Sequence, residues 1–227
     1  MDKALSWLAE TLDYQFSDPQ LYEQALTHRS SPGASNERLE YLGDAVLDFV
    51  ISELVYLSLP NADEGDLSRL RASLVKDTSL AELAGELGLG EHLILGSGER
   101  KTGGHRRESI LADALEALFG AVFLDAGYEA SKRVIRNAFG ERLLNLPDPR
   151  ELRDPKTRLQ EWLQARQMGL PDYSLVIVSG EAHRQQFEVR CAVDGQKSET
   201  TGSGSSRRNA EQQSAERMLG VLVESDE

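Results

Sequence analysis

The sequence is nearly devoid of cysteine. Its single thiol, Cys191, cannot close an internal disulfide and lies in an alternating stretch where it reads as a small buried hydrophobe. A disulfide-stapled secreted scaffold is therefore excluded, and a reducing compartment, the cytoplasm, is expected. Long hydrophobic runs are missing as well. The longest, residues 117–124, falls far short of the ~20 residues a membrane-spanning helix needs, and Glu10 breaks the N-terminal stretch that a signal peptide would keep apolar. No membrane association is expected. Basic charge is in deficit: 25 Lys and Arg stand against 38 Asp and Glu, a net charge of −13, the reverse of the usual footprint of a phosphate binder. The deficit is uneven. Up to Arg150 there are 15 basic and 25 acidic residues, and beyond it 10 and 13, so the acid excess is concentrated in the first part. Histidine is scarce too, and none of the four lies in the Glu-x-x-His pair that a ferritin-like di-iron site needs.

What is present divides by period. Residues 36–57, 64–76, 79–87, 108–124 and 129–144 carry apolar side chains at three- and four-residue spacings, which predicts helices, and strand-like alternation is absent there. Pro147, Pro149 and Pro155 interrupt this pattern and place a linker at 148–153, between domains at 1–147 and 154–227. Beyond it the period changes. Residues 157–167 form an amphipathic helix with Leu159, Trp162 and Leu163 on one face. Residues 173–178 are β-rich, and Phe187, Val189, Cys191 and Val193 alternate with polar neighbours. Asp194-Gly195 predicts a two-residue hairpin into a strand at 196–201. Gly202-Ser203-Gly204-Ser205-Ser206 then precedes a closing helix with Ala210, Ser214, Met218 and Leu222. The expected fold class is an all-α domain followed by a small α+β domain of order α-β-β-β-α.

The segment Asn36-Glu37-Arg38-Leu39-Glu40-Tyr41-Leu42-Gly43-Asp44-Ala45-Val46-Leu47 puts Glu37, Glu40, Asp44 and Asp48 at three- and four-residue steps along one helix. Like charges at these spacings destabilise an isolated helix by ~0.2–0.5 kcal/mol per pair, so a cation or basic partner should compensate. A second helix carries Asp113 and Glu116 one turn apart within an otherwise apolar run. Spacing alone leaves two readings open: a solvated acidic face, or two acidic helix faces packed into an oxygen-rich site for a hard cation such as Mg²⁺.

These residues carry a resemblance. Residues 36–47, the block 108–121 that contains Asp113 and Glu116, and Leu26-Thr27-His28-Arg29-Ser30 together resemble the ribonuclease III family over residues 5–144. The resemblance implies a helical, homodimeric endonuclease domain in which Glu40, Asp44, Asp113 and Glu116 surround Mg²⁺, with Mn²⁺ a possible substitute and Asp44 and Glu116 catalytic. Glu37 and Glu64 match further acidic positions of the family and are expected to support RNA or water without being ligands. Asp48 has no such counterpart and reads as surface charge. Tyr41 falls where the family carries an aromatic residue that inserts into the partner subunit; a partly exposed or intramolecular core tyrosine is the other reading of the position.

The C-terminal unit resembles a double-stranded-RNA-binding domain over residues 154–223. By that resemblance Thr157, Gln160 and Glu161 on the first helix, His183 in the first strand connection, and Ser206, Arg207 and Arg208 at the start of the closing helix contact RNA. The two arginines also stand out by themselves, because a helix N-terminus disfavours cations and favours an anion. Such domains read A-form shape and 2′-hydroxyls with little base readout. Residues 96–104 superficially resemble a phosphate loop, but Lys101-Thr102 follows Arg100 rather than glycine and no predicted strand precedes it, so no nucleotide cofactor is expected. A mobile basic loop with Arg100, Lys101, Arg106 and Arg107 near RNA is expected instead. The competing functional class is a duplex-binding regulator without catalysis; retention of Asp44, Asp113 and Glu116 favours the nuclease.

Overall fold

Helices account for the secondary structure up to Leu144, apart from one isolated bridge, in the computed structural model, which describes residues 2–181, 184–195 and 198–226 and side chains from Trp7 onward. The α-helices are α1 (Asp2–Leu12), α2 (Pro19–Leu26), α3 (Glu37–Ser58), α4 (Glu64–Val75), α5 (Asp77–Glu86), α6 (Ser97–Lys101), α7 (Glu108–Phe139) and α8 (Glu141–Leu144), with short 3-10 turns at Leu89–His92 and Gly104–Arg106. Two starts are fixed locally: Asp18 accepts from Gln20 N with Pro19 in the first turn of α2, and Asp63 accepts from Asp66 N at the start of α4. The centre of this unit, Met1–Pro147, is the packing of α3 on α7. Leu47, Val50 and Ile51 of α3 and Leu115, Leu118 and Phe119 of α7 are fully or almost fully buried, each stabilising by roughly 1.5–3 kcal/mol. Gly127, at φ +75°, breaks α7, which is why its sequence reads as two periodic segments.

One reading is corrected here. The segment expected to be a mobile loop, residues 96–104, contains α6, and Arg100, though exposed, donates to the Leu93 carbonyl at 3.1 Å. The segment Thr27–His28 is also tied down, pairing with Ile94 through a short parallel bridge.

The second unit, Asp148–Glu227, is built from α9 (Pro155–Ala165), β1 (Pro171–Ser179), β2 (Gln186–Val193), β3 (Glu199–Gly204) and α10 (Arg207–Glu224). The strands form an antiparallel sheet in the order β1-β2-β3. Its inner face closes on α9 and α10 around Leu159, Leu163, Cys191, Val193, Ala215, Met218 and Leu222. Gly202 lets β3 approach α10 closely: a Cβ there would sit 2.3 Å from Ser214 N. β1 is an edge strand whose register slips between Leu175 and Ile177, leaving Val176 as a bulge. The hairpin after Asp194-Gly195 is longer than a two-residue turn. Ala192 pairs with Glu199, two residues past the partner a two-residue turn would give, and the strand runs on through Gly202–Gly204. An even shift keeps the same residues on each face, so the alternation survives the error in register. The expected strand start at Gln196 lies outside the described residues.

Candidate active site and duplex-binding surface

Two glycines decide where the acids meet. A Cβ on Gly43 would lie 1.8 Å from the Glu116 carbonyl oxygen, and one on Gly120 would lie 2.3 Å from the Leu39 carbonyl oxygen. The backbones of α3 and α7 therefore touch at this crossing. Glu40 and Asp44 flank Gly43 on α3, while Asp113 and Glu116 lie in the turns of α7 just before Gly120, so the contact brings the four carboxylates into one field.

The electrostatics record that convergence. Burial pushes the Glu116 carboxyl up to about 8, with Asp44, Asp113, Glu40 and Asp77 adding to it in that order. Burial also raises Glu40, with Asp113, Glu37 and Asp44 adding and Arg29 opposing. Asp113 is raised by burial and Asp77, with His28 and Arg29 opposing. Like charges so placed call for a cation, and an all-oxygen donor set suits a hard divalent ion. Among the described residues no three His, Cys, Asp or Glu side chains stand in a ready coordination arrangement.

A polar cleft of about 440 Å³ opens beside this cluster, lined by Glu37, Glu40 and Asp113 together with His28, Arg29 and Arg107. Glu37 accepts from Ser35 Oγ at 2.9 Å and faces Arg29 at 3.8 Å. Arg107 is held by Glu99 at 2.9 Å. Asp48 is half-exposed and faces Arg71 at 3.9 Å, in keeping with a surface charge. Glu64 stands elsewhere: it accepts from Ser68 Oγ at 3.0 Å, lines a separate groove with Phe49 and Tyr56, and is not among the charges acting on the three shifted carboxyls. Tyr41 is 83% exposed, beside an apolar groove lined by Leu21, Leu39, Leu42 and Leu124. An intramolecular core role for it is therefore set aside.

Sequence reasoning missed Asp77 and the roles of Gly43 and Gly120. Asp77 belongs to no acidic repeat, so only the packing of α5 on α7 reveals it. The glycines did leave a signal. Glycine inside a helix costs ~1 kcal/mol against alanine, so two on facing apolar helices imply a packing reason.

In the second unit, Asp154 caps α9 and takes both the backbone N–H and the hydroxyl of Thr157, at 3.2 and 2.7 Å. Gln160 and Glu161 are exposed, and Glu161 is paired with Arg153. Ser206 caps α10 by accepting from Asn209 N at 3.2 Å, and Arg207 and Arg208 open that helix with exposed side chains. The charge of Arg208 reaches Asp154, so the beginnings of α9 and α10 are neighbours. His183 lies outside the described residues.

Comparison with known proteins fits this division. Residues 18–143 match the family model described as Ribonuclease-III-like, and residues 155–222 match the double-stranded RNA binding motif. Ribonuclease 3 of Nitrosococcus oceani is 52% identical, with 100% of this chain and 98% of the relative aligned; that of Hahella chejuensis is 54% identical over 98% of each. The crystal structure of the nuclease domain of ribonuclease III from Campylobacter jejuni is 43% identical with a TM-score of 0.57, covering 61% of this chain and 96% of that one. A helical nuclease domain followed by a duplex-RNA-binding domain defines an endoribonuclease that acts on double-stranded RNA. The chain belongs to the ribonuclease III family.

Proposed function

We propose that the chain is a homodimeric, Mg²⁺-dependent hydrolase of RNA duplexes that leaves 5′-phosphate and 3′-hydroxyl ends with short 3′ overhangs. The observation that carries this reading is Glu116, partly buried where α3 and α7 touch and surrounded by the charges of Asp44, Asp113, Glu40 and Asp77. Glu40, Asp44, Asp113 and Glu116 would hold the ion, Mn²⁺ being able to replace it. When bound, the ion supplies an activated water for in-line attack on phosphorus and offsets charge on the departing 3′ oxygen. Glu116 has to surrender its proton to serve as a ligand. Arg29 and Arg107 offer guanidinium groups to the RNA backbone at the cleft, and Glu37 borders it. A supporting role for Glu64 requires a second copy of the chain or the RNA itself, because Glu64 faces a different groove. Precursors of ribosomal RNA and structured messages in the cytoplasm are the substrates this reading entails. The test is incubation of a long duplex with Mg²⁺ or with EDTA: short duplex products only with Mg²⁺ are expected, and equal cleavage in EDTA overturns the metal dependence.

The homodimer rests on Tyr41, whose exposed ring lies beside an apolar groove of about 620 Å³, both being surfaces a second copy would cover. The Campylobacter jejuni nuclease domain is described with a region involved in dimer formation. Tyr41→Asp is expected to shift the full chain toward monomer by light scattering at micromolar concentration. An unchanged dimer mass would remove Tyr41 from the interface.

At the duplex reader, Arg207→Ala together with Arg208→Ala is expected to weaken binding about tenfold or more at physiological salt. The dependence of log K on log salt should flatten, because each phosphate contact releases counterions worth a slope of ~0.9. An unaltered slope in the folded double variant takes both arginines off the RNA.

A further inference from the structure

One carboxylate in the second unit holds two cations. Glu211, one turn into α10, accepts from Arg207 Nε through Oε1 at 2.8 Å and from Lys156 Nζ through Oε2 at 2.7 Å. Its side chain is only 14% exposed, whereas that of Arg207 is 58% exposed. Lys156 comes from the first turn of α9 and stacks 4.5 Å over the Tyr173 ring of β1. A single acid thus spans the two helix beginnings where Thr157, Arg207 and Arg208 lie. Burial works against the Glu211 carboxylate, but Lys156 and Arg207 outweigh it and hold its pKa below the usual range.

The use of Nε decides what the pair does. Arg207 spends the side of its guanidinium on Glu211, and among the described residues its Nη groups have no hydrogen-bond partner. Those are the atoms that can grip a phosphate from the end of the fork. A carboxylate bound across both Nη atoms would instead compete with RNA for the same donors.

We propose that Glu211 is a positioning residue for duplex binding, a two-armed brace that fixes Arg207 and Lys156 so that the Arg207 Nη groups point at an RNA phosphate before RNA arrives. This rests on the reading that Arg207 and Arg208 contact phosphate. The alternative for the same geometry is a brake, an acid that merely subtracts one positive charge from the surface. The two differ in sign. A brace, once removed, lets two cations repel and restores the rotamer freedom of Arg207, which RNA must then freeze. A brake, once removed, adds net positive charge and strengthens binding.

The test measures duplex affinity and its salt slope for the full chain in EDTA, with circular dichroism to show that α10 persists. Glu211→Gln is expected to weaken binding about three- to tenfold and to make the slope shallower by up to ~0.9, one phosphate contact. Glu211→Asp keeps the charge but shortens the reach, so the brace predicts weaker binding here too, which no count of charges can produce. In an Arg207→Ala background Glu211→Gln should have little further effect, the signature of two residues acting as one unit. Tighter binding with a steeper slope in Glu211→Gln, or wild-type binding by a folded Glu211→Asp, overturns the brace. An unchanged slope on removing Arg207 and Arg208 themselves overturns the underlying phosphate reading, so the two failures are separable.

Discussion

Glu116→Gln is expected to lower single-turnover cleavage of a saturating duplex by about a hundredfold or more while leaving duplex affinity near wild type. Glutamine keeps the shape of the side chain but removes one of the four converging charges, so it weakens the ion without unpacking α7. Raising Mg²⁺ or Mn²⁺ should recover part of the rate. The same variant carries a second expectation. In metal-free protein the Glu116 pKa rises from an ordinary 4.5 to about 8, so between these values the folded state holds a proton that the unfolded state has lost. The resulting stability is complete below pH 4.5 and drains away as pH rises through 8. Thermal unfolding in EDTA should therefore show wild type losing more stability than Glu116→Gln between pH 5 and 8. Parallel profiles would mean that Glu116 is neither desolvated at the crossing nor in the field of the other acids. Wild-type cleavage with unaltered metal dependence would remove it from the ion.

Gly43→Ala tests the scaffold rather than the chemistry. A methyl group 1.8 Å from the Glu116 carbonyl oxygen meets backbone, which has no rotamer by which to yield, so α3 and α7 must move apart. The helix propensity of alanine returns only ~1 kcal/mol, against an overpacking cost of ~1–3 kcal/mol or more with the core layer opened. The melting midpoint should fall by roughly 5 °C. Cleavage should fall further than stability alone explains, because a displacement of ~1 Å between Glu40 or Asp44 and Glu116 can cost ~10²-fold. Gly85→Ala is the control: nothing lies within 4 Å of its added Cβ, and its melting midpoint should not fall. Equal behaviour of the two variants would show that the crossing tolerates a side chain.

The carboxylates were legible because helix periodicity is local. Glu40 and Asp44, or Asp113 and Glu116, share a face whatever the rest of the chain does, and Ala210, Ser214, Met218 and Leu222 could be assigned inward by the same rule. The closure of the site was not legible from period alone. That α3 and α7 touch at Gly43 and Gly120, that Asp77 joins the field, and that Glu64 stands outside it are facts about segments distant in sequence. The duplex reader divides in the same way. The alternation of Val189, Cys191 and Val193 set the inner face, while the hairpin register depended on pairing between strands, where Asp194-Gly195 suggested too short a turn. In the sequence Glu211 is only one more acid, four residues after Arg207. Only its two partners, one on another helix, give it a constructive role.

The bulge at Val176 bears on how the second unit stays apart from copies of itself. Leu175, Val176, Ile177 and Val178 are each about half exposed on a strand with one unpaired side, a combination that invites edge-to-edge association into larger sheets. A flat strand of this composition would offer an unbroken row of backbone donors and acceptors to the next molecule. The extra residue at Val176 breaks that row at its apolar centre and increases the local twist, so a second copy approaching in register meets mismatched partners. An irregularity of this kind opposes edge-to-edge pairing, and so counters the tendency to aggregate that the apolar composition of the strand would otherwise bring.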